Sequence, residues 1–154
     1  MISEKWDEKV IELAKSLINC QSYSGHEDKA AEALKAYMKE TGVFDEIETD
    51  CYGNVIGHIK GKNHGSKVLF DGHIDTVPVG NLKDWKHDPF HAVVEDGKLY
   101  GRGTSDDKGP LVSSLFAMKY LADNQLIPKD TCLRMIVGTD EEESWQCIRY
   151  YLDH

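Results

Sequence analysis

Three stretches limit what this chain can fold into more than any other feature: "KVLFDGHID", "HAVVEDGKLYGRGTSDDKGP" and "TCLRMIVGTDEEES". Each begins as strand-like apolar sequence, passes through glycine and ends in acids. Met135, Ile136 and Val137 form a continuous apolar run, the pattern of a strand buried on both faces, and Val68 to Phe70 have the same character. Both runs are therefore expected to be interior strands. Between the second and third stretches, Leu111, Leu115, Met118 and Leu121 recur at helical spacing behind Pro110, which suits a helix start.

The same alternation extends to the rest of the chain. Trp6, Val10, Leu13 and Leu17 make one amphipathic stripe, and Ala30, Ala31, Leu34, Tyr37 and Met38 make a second that stops at Gly42. From Phe44 the period changes: "FDEIETD" and "NVIGHIKG" straddle a Tyr-Gly-Asn turn and read as a hairpin. "TVPVGNLKDWKHDPF" has no period and is expected to be a long surface loop. "HAVVEDGKLYGRG" gives two short strands about an Asp-Gly turn, and the last acids lead into a helix ending "YYLDH". Helices, strands, helix, strand, helix: the order predicts one α/β domain, a sheet with helices on its faces.

A chain of 154 residues can bury a core of its own, and 40% apolar with 29% charged residues is an ordinary globular balance. The formal net charge of −9 with scattered lysines argues against nucleic acid or an anionic membrane as partner. No run reaches the roughly 20 apolar residues of a membrane span, and the amino terminus is charged and amphipathic, unlike a signal peptide. Cys20, Cys51, Cys132 and Cys147 lie far apart and are expected to be reduced, mostly buried thiols of a cytoplasmic protein.

Each acidic stretch has a structural reading and a chemical one. His73 and Asp75 stand two apart, on the same side of a strand end, where a carboxylate can orient an imidazole, for a metal or for nothing more than local polarity. The acids of "TSDDKGP" suit a helix start, and the GxxxxGK[ST] spacing of a phosphate-binding loop is absent. In "GTDEEES", Asp140 and Glu143 match a capping box, yet a cap leaves two further carboxylates crowded at a strand end. All three stretches place their polar groups at carboxyl ends of strands, where ligand sites gather in open α/β sheets. A His, an Asp and a Glu meeting there would suit zinc, manganese or cobalt.

"GHIDTVP", "W..DPF", "DGKLYGRGTSDDKGP" and "GTDEEE" stand in an order and spacing that resembles the M20 metallopeptidases, which have a two-metal centre. The likeness runs from about Ser22 onward, and the second half is most similar to bacterial dipeptidases of the dipeptidase V type. The resemblance implies a three-layer α/β/α zinc-peptidase-like catalytic domain with a mixed sheet. It implies that His73 ligates one metal, that Asp75 orients His73, that Asp106 bridges both metals, that Glu142 ligates the second and that Glu141 is the general acid/base. It also implies a cis bond between Asp106 and Asp107.

The family uses two further ligands, an acid and a histidine, for which no position here matches, and a lid or dimerisation domain that is also unmatched. Residues 1–154 are therefore expected to be the amino-terminal part of such a catalytic domain, inactive or nearly so alone. His154 is not expected to replace a ligand, and His26, His58, His64, His87 and His91 are expected to be surface or loop histidines. The expected substrate is a small peptide. The alternatives are an N-acyl amino acid, for a deacylase or deacetylase of the same family, and a non-catalytic metal-binding or interaction module.

Overall fold

The computed structural model describes residues 4–59 and 65–154. The expected continuation of the hairpin strand through Lys60 and Gly61, the place of His64 and the side chain of Trp6 fall outside that description. Two helices open the chain, α1 (Glu4–Asn19) and α2 (Asp28–Thr41), and they bury the apolar stripes read from the sequence. Gly42 ends α2 in a left-handed conformation, φ 66°, with its N–H on the Lys39 carbonyl. A residue with a Cβ adopts that conformation at a cost, so glycine is the natural stop.

The strands are β1 (Glu46–Thr49), β2 (Val55–Ile59), β3 (Ser66–His73), β4 (Val93–Glu95), β5 (Lys98–Tyr100) and β6 (Thr131–Gly138). The main sheet has the order β1-β2-β6-β3: β6 runs antiparallel to β2 and parallel to β3. The helix α3 (Lys108–Asp123) makes the crossover from β3 to β6, the connection a parallel pair requires. β4 and β5 form a separate two-stranded hairpin. The last helix is α4 (Gln146–Asp153).

Alternation along β6 assigns the two faces. Leu133, Met135 and Val137 join the core made with α1, α2 and α3. Arg134 and Ile136 turn the other way, where the Arg134 guanidinium donates to Tyr151 of α4 and Ile136 shares a cavity of about 370 Å³ with Cys147 and Ile148. Helices thus cover both faces of a mixed sheet, as expected.

Three sequence expectations need correction here. β6 is the interior strand, but β3 is paired on one side only among the described residues, and Val68 and Leu69 are each 43% exposed. An apolar run reports that side chains want cover on both faces; it carries no information about which strand lies alongside. His58 is not a surface histidine. It lies buried in β2, between Glu48 and Arg134. No cysteine is disulfide-bonded, and the expectation of mostly buried thiols holds only for Cys147: Cys20 and Cys132 are partly exposed and Cys51 is exposed.

Candidate metal centre

The parallel register of β3 and β6 sets His73 directly against Gly138, so both strands release their polar ends at one edge of the sheet. Ligand sites favour this place because backbone and side-chain groups leave the apolar layer there together. Asp106 comes to the same place from the turn before α3, after a strand of the separate hairpin. Ligand atoms of His73, Asp106 and Glu142 all lie within 4.8 Å of one another. These are the three metal ligands expected from the sequence.

His73 is buried, and each face of its ring has an assigned partner. Nδ1 lies 3.1 Å from the Asp75 carbonyl and 3.2 Å from Asp75 Oδ1, which makes Nδ1–H the donor. Nε2 then faces Asp106 Oδ1 at 3.1 Å and Glu141 Oε2 at 3.7 Å. Burial alone would push the imidazole down, but the hydrogen bond and charge of Asp75, with Glu141 and Asp106, raise it to about 9. Carboxylates crowded round Nε2 attract a proton, and the same field attracts a divalent cation.

Asp75 does more than orient His73. Its carboxylate accepts from the Ser24 hydroxyl at 2.7 Å, from Glu141 N at 3.1 Å and from Glu142 N at 3.0 Å. Burial would raise this carboxyl, yet His73, Ser24 and the two amides together hold it below its ordinary range. Glu142 is instead pushed up, by burial first and then by the charge of Asp106. A site whose acids repel one another in this way is relieved by a cation.

The bond between Asp106 and Asp107 is cis, as expected. Asp106 is largely exposed and turned to His73 Nε2, while Asp107 accepts from the backbone N–H of His73 at 3.1 Å. Gly72 makes that contact possible, because a Cβ there would stand 2.7 Å from the Asp107 carboxylate. Lys108 is fully buried and donates to the carbonyls of Leu17 and Cys20, at the free carboxyl end of α1. Burial lowers its ammonium to about 8.

The expected capping box does not form. Asp140 sits at φ 66°, its carboxylate receives Tyr52 Oη and Ser144 Oγ, and α4 begins only at Gln146 without a side-chain cap. Glu143 is exposed. A D-x-x-E pattern caps only if the chain enters the helix at once, and here a turn intervenes. His154 lies exposed and stacks on Tyr150. Among the described residues it is not part of the metal group.

The sequence profile of the peptidase family M20/M25/M40 matches residues 69–154, more than half of the chain and all of the metal group. The chain belongs to that family. It is 36% identical over 135 residues to a succinyl-diaminopimelate desuccinylase of Wigglesworthia glossinidia brevipalpis, covering 88% of this chain and 35% of that protein. Over 111 residues it is 35% identical to a beta-Ala-Xaa dipeptidase of Lactobacillus delbrueckii subsp. lactis, 71% of this chain and 23% of the relative. The structure superposes on an M20 family metallo-carboxypeptidase from Sulfolobus solfataricus with a TM-score of 0.72 and 27% identity, over 91% of this chain and 32% of the other. The chain thus spans about a quarter to a third of the length of these relatives.

Proposed function

We propose that this chain carries the metal-holding and proton-transferring side chains of a metallodipeptidase, a hydrolase that cleaves the peptide bond of a dipeptide. The observation that carries this reading is the convergence of His73, Asp106 and Glu142 within 4.8 Å, with Glu141 beside them. An N/O/O donor set suits zinc, with manganese or cobalt as alternatives. Two cations sharing Asp106 would take His73 on one side and Glu142 on the other. When bound, such cations supply Lewis acidity, lowering the pKa of a water toward neutrality and polarising the scissile carbonyl.

The residues divide the remaining work. Asp75 fixes His73 with Nε2 turned to the metal position, and its hold on two successive amides keeps the Glu141 and Glu142 carboxylates on the side facing His73 and Asp106. Glu142 serves as ligand. Glu141 takes a proton from the attacking water and returns it to the leaving amine, the role of a general acid/base. Two cations would have two donors each among the described residues, fewer than the three typical of catalytic zinc, so weak turnover is expected from the 154-residue chain alone. Residues 1–154 would then supply the front of a catalytic domain in a protein about three times as long, as the relatives are. Four cysteines without a disulfide accord with a reducing, cytoplasmic setting.

A second reading is favoured by the likeness to a desuccinylase: the same water attack on an N-acyl amino acid, which makes a deacylase or deacetylase. Dipeptides assayed beside N-acetyl amino acids, with zinc, manganese and cobalt in turn, separate the two. Dipeptide cleavage is expected, falling about 10²- to 10⁴-fold in Glu141→Gln. Equal turnover by that variant contradicts the role of Glu141. Metal binding without turnover on any substrate, in a protein extended to the relatives' length, would leave a metal-binding module.

A further inference from the structure

Three consecutive backbone N–H groups in the acidic turn end on two buried carboxylates. Asp75 receives those of Glu141 and Glu142, and Glu27 Oε1 receives that of Asp140 at 3.1 Å. Glu27 stands immediately before α2, where an acid ordinarily caps its own helix. It gives α2 no side-chain cap. Its carboxyl is 7% exposed and turned back instead, accepting from Gly25 N at 2.8 Å and from an amide more than a hundred residues away.

The Asp140 amide is the natural handle for this turn. Asp140 has φ 66°, a conformation that residues with a Cβ rarely adopt. Its carboxylate is taken by Tyr52 and Ser144, and its carbonyl by the amides of Ser144 and Trp145. These contacts shape the turn from within or tie it to Tyr52. Glu27 is the contact that ties its backbone to the α1–α2 connection. That connection also meets the other half of the site, since Ser24 donates to Asp75 and Ser22 accepts from Thr76 N.

We propose that Glu27 is a positioning residue for the metal centre: by holding the Asp140 amide it sets the turn that aims Glu142 at His73 and Asp106. The proposal rests on the reading of that trio as a metal site. What Glu27 must supply is a buried acceptor oxygen of the right reach, and the carboxamide of glutamine supplies one equally well. Burial pushes the Glu27 carboxyl up, with the charge of Asp75 adding to this against the amide donors, so a neutral replacement suits the position. An aliphatic side chain leaves the Asp140 N–H buried without a partner.

The test combines zinc titration by calorimetry with amide hydrogen exchange on the 154-residue chain, comparing wild type with Glu27→Leu, Glu27→Gln and Glu27→Asp. Glu27→Leu is expected to lower zinc affinity about tenfold or more, the usual effect of losing a partner behind the ligands. It should also speed exchange at Asp140, Glu141 and Glu142 while α3 stays protected. Glu27→Gln should keep both properties near wild type, the rescue that a role through charge does not provide. If Glu27→Leu does not fold, Glu27→Asp removes one methylene of reach and is expected to weaken zinc and protection in the same three amides. Wild-type zinc affinity in Leu or Asp, or protection lost evenly over the whole chain, overturns the proposal. Should wild type itself take up no zinc, the metal reading fails, and the exchange of the three amides still decides what Glu27 holds.

Discussion

His58 and His73 are both strand histidines, each 7% exposed, and each has a carboxylate at hydrogen-bond distance from a ring nitrogen. Their surroundings differ in sign. At His58, Arg134 Nε–H donates to Nδ1 at 3.2 Å and Glu48 faces Nε2 at 3.1 Å, so both nitrogens are matched and a cation already stands alongside. At His73, Asp75 secures Nδ1 and the opposite nitrogen faces Asp106 and Glu141, with no basic side chain paired to it among the described residues. Burial alone does not suit a histidine to a metal; an excess of acids about one ring nitrogen is what favours a cation there.

The comparison breaks most directly by deletion. His73→Ala should weaken zinc binding by more than about 100-fold, beyond the effect of losing an outer partner. His58→Ala should leave zinc affinity unchanged and cost about 1–3 kcal/mol in denaturant unfolding, because Arg134 loses an acceptor. Equal losses of zinc in the two variants would erase the distinction. Gly72→Ala comes next. Its Cβ would meet the Asp107 carboxylate at 2.7 Å and Leu111 at 3.2 Å, and the crowding should cost about 1–3 kcal/mol in thermal unfolding.

A pH series sharpens the same contrast. With His73 raised to about 9, zinc must displace its proton, so affinity should rise about tenfold per pH unit between roughly pH 6 and 8. The metal-free chain behaves in the opposite sense. A pKa raised on folding stabilises fully below the unfolded value of about 6.5, and that stability fades as the pH climbs toward about 9. Calorimetric proton release in two buffers checks the first effect, and melting temperatures of metal-free protein check the second. The smallest effect belongs to Glu48→Gln, where a half-exposed acid faces His58, and a loss of about 0–1 kcal/mol is expected with no change in zinc affinity.

That a His, an Asp and a Glu should meet at strand ends was legible locally, but the choice of Asp106 and Glu142 within their acidic clusters came from the resemblance to the M20 metallopeptidases. A strand end fixes His73 and Asp75 two residues apart on one side, and adjacent glutamates after a second strand offer a ligand and its neighbour. The helices were legible for the same reason, in stripes that α1, α2 and α3 do bury. What the sequence hid are contacts between distant segments. Ser24 and Glu27 look like residues before a helix, and the parallel bridge of Tyr23 to Thr76, with the hydrogen bonds around it, brings them to the site. The burial of Lys108 is another such contact: the turn into α3 sends it inward to the carbonyl end of α1. The edge position of β3 and the burial of His58 depend on strand order, which an apolar pattern does not encode. The capping box failed on the left-handed Asp140, a backbone choice made by Glu27, Tyr52 and Ser144 together.

The central claim is that His73, Asp106 and Glu142 form one cation site. Isothermal titration of zinc into wild type, Asp106→Asn, Glu142→Gln and Glu141→Gln tests it most directly. The account predicts saturable zinc uptake by wild type, a large loss of affinity in the Asp106 and Glu142 variants, and retained affinity in Glu141→Gln. Zinc bound equally well by Asp106→Asn and Glu142→Gln would contradict it.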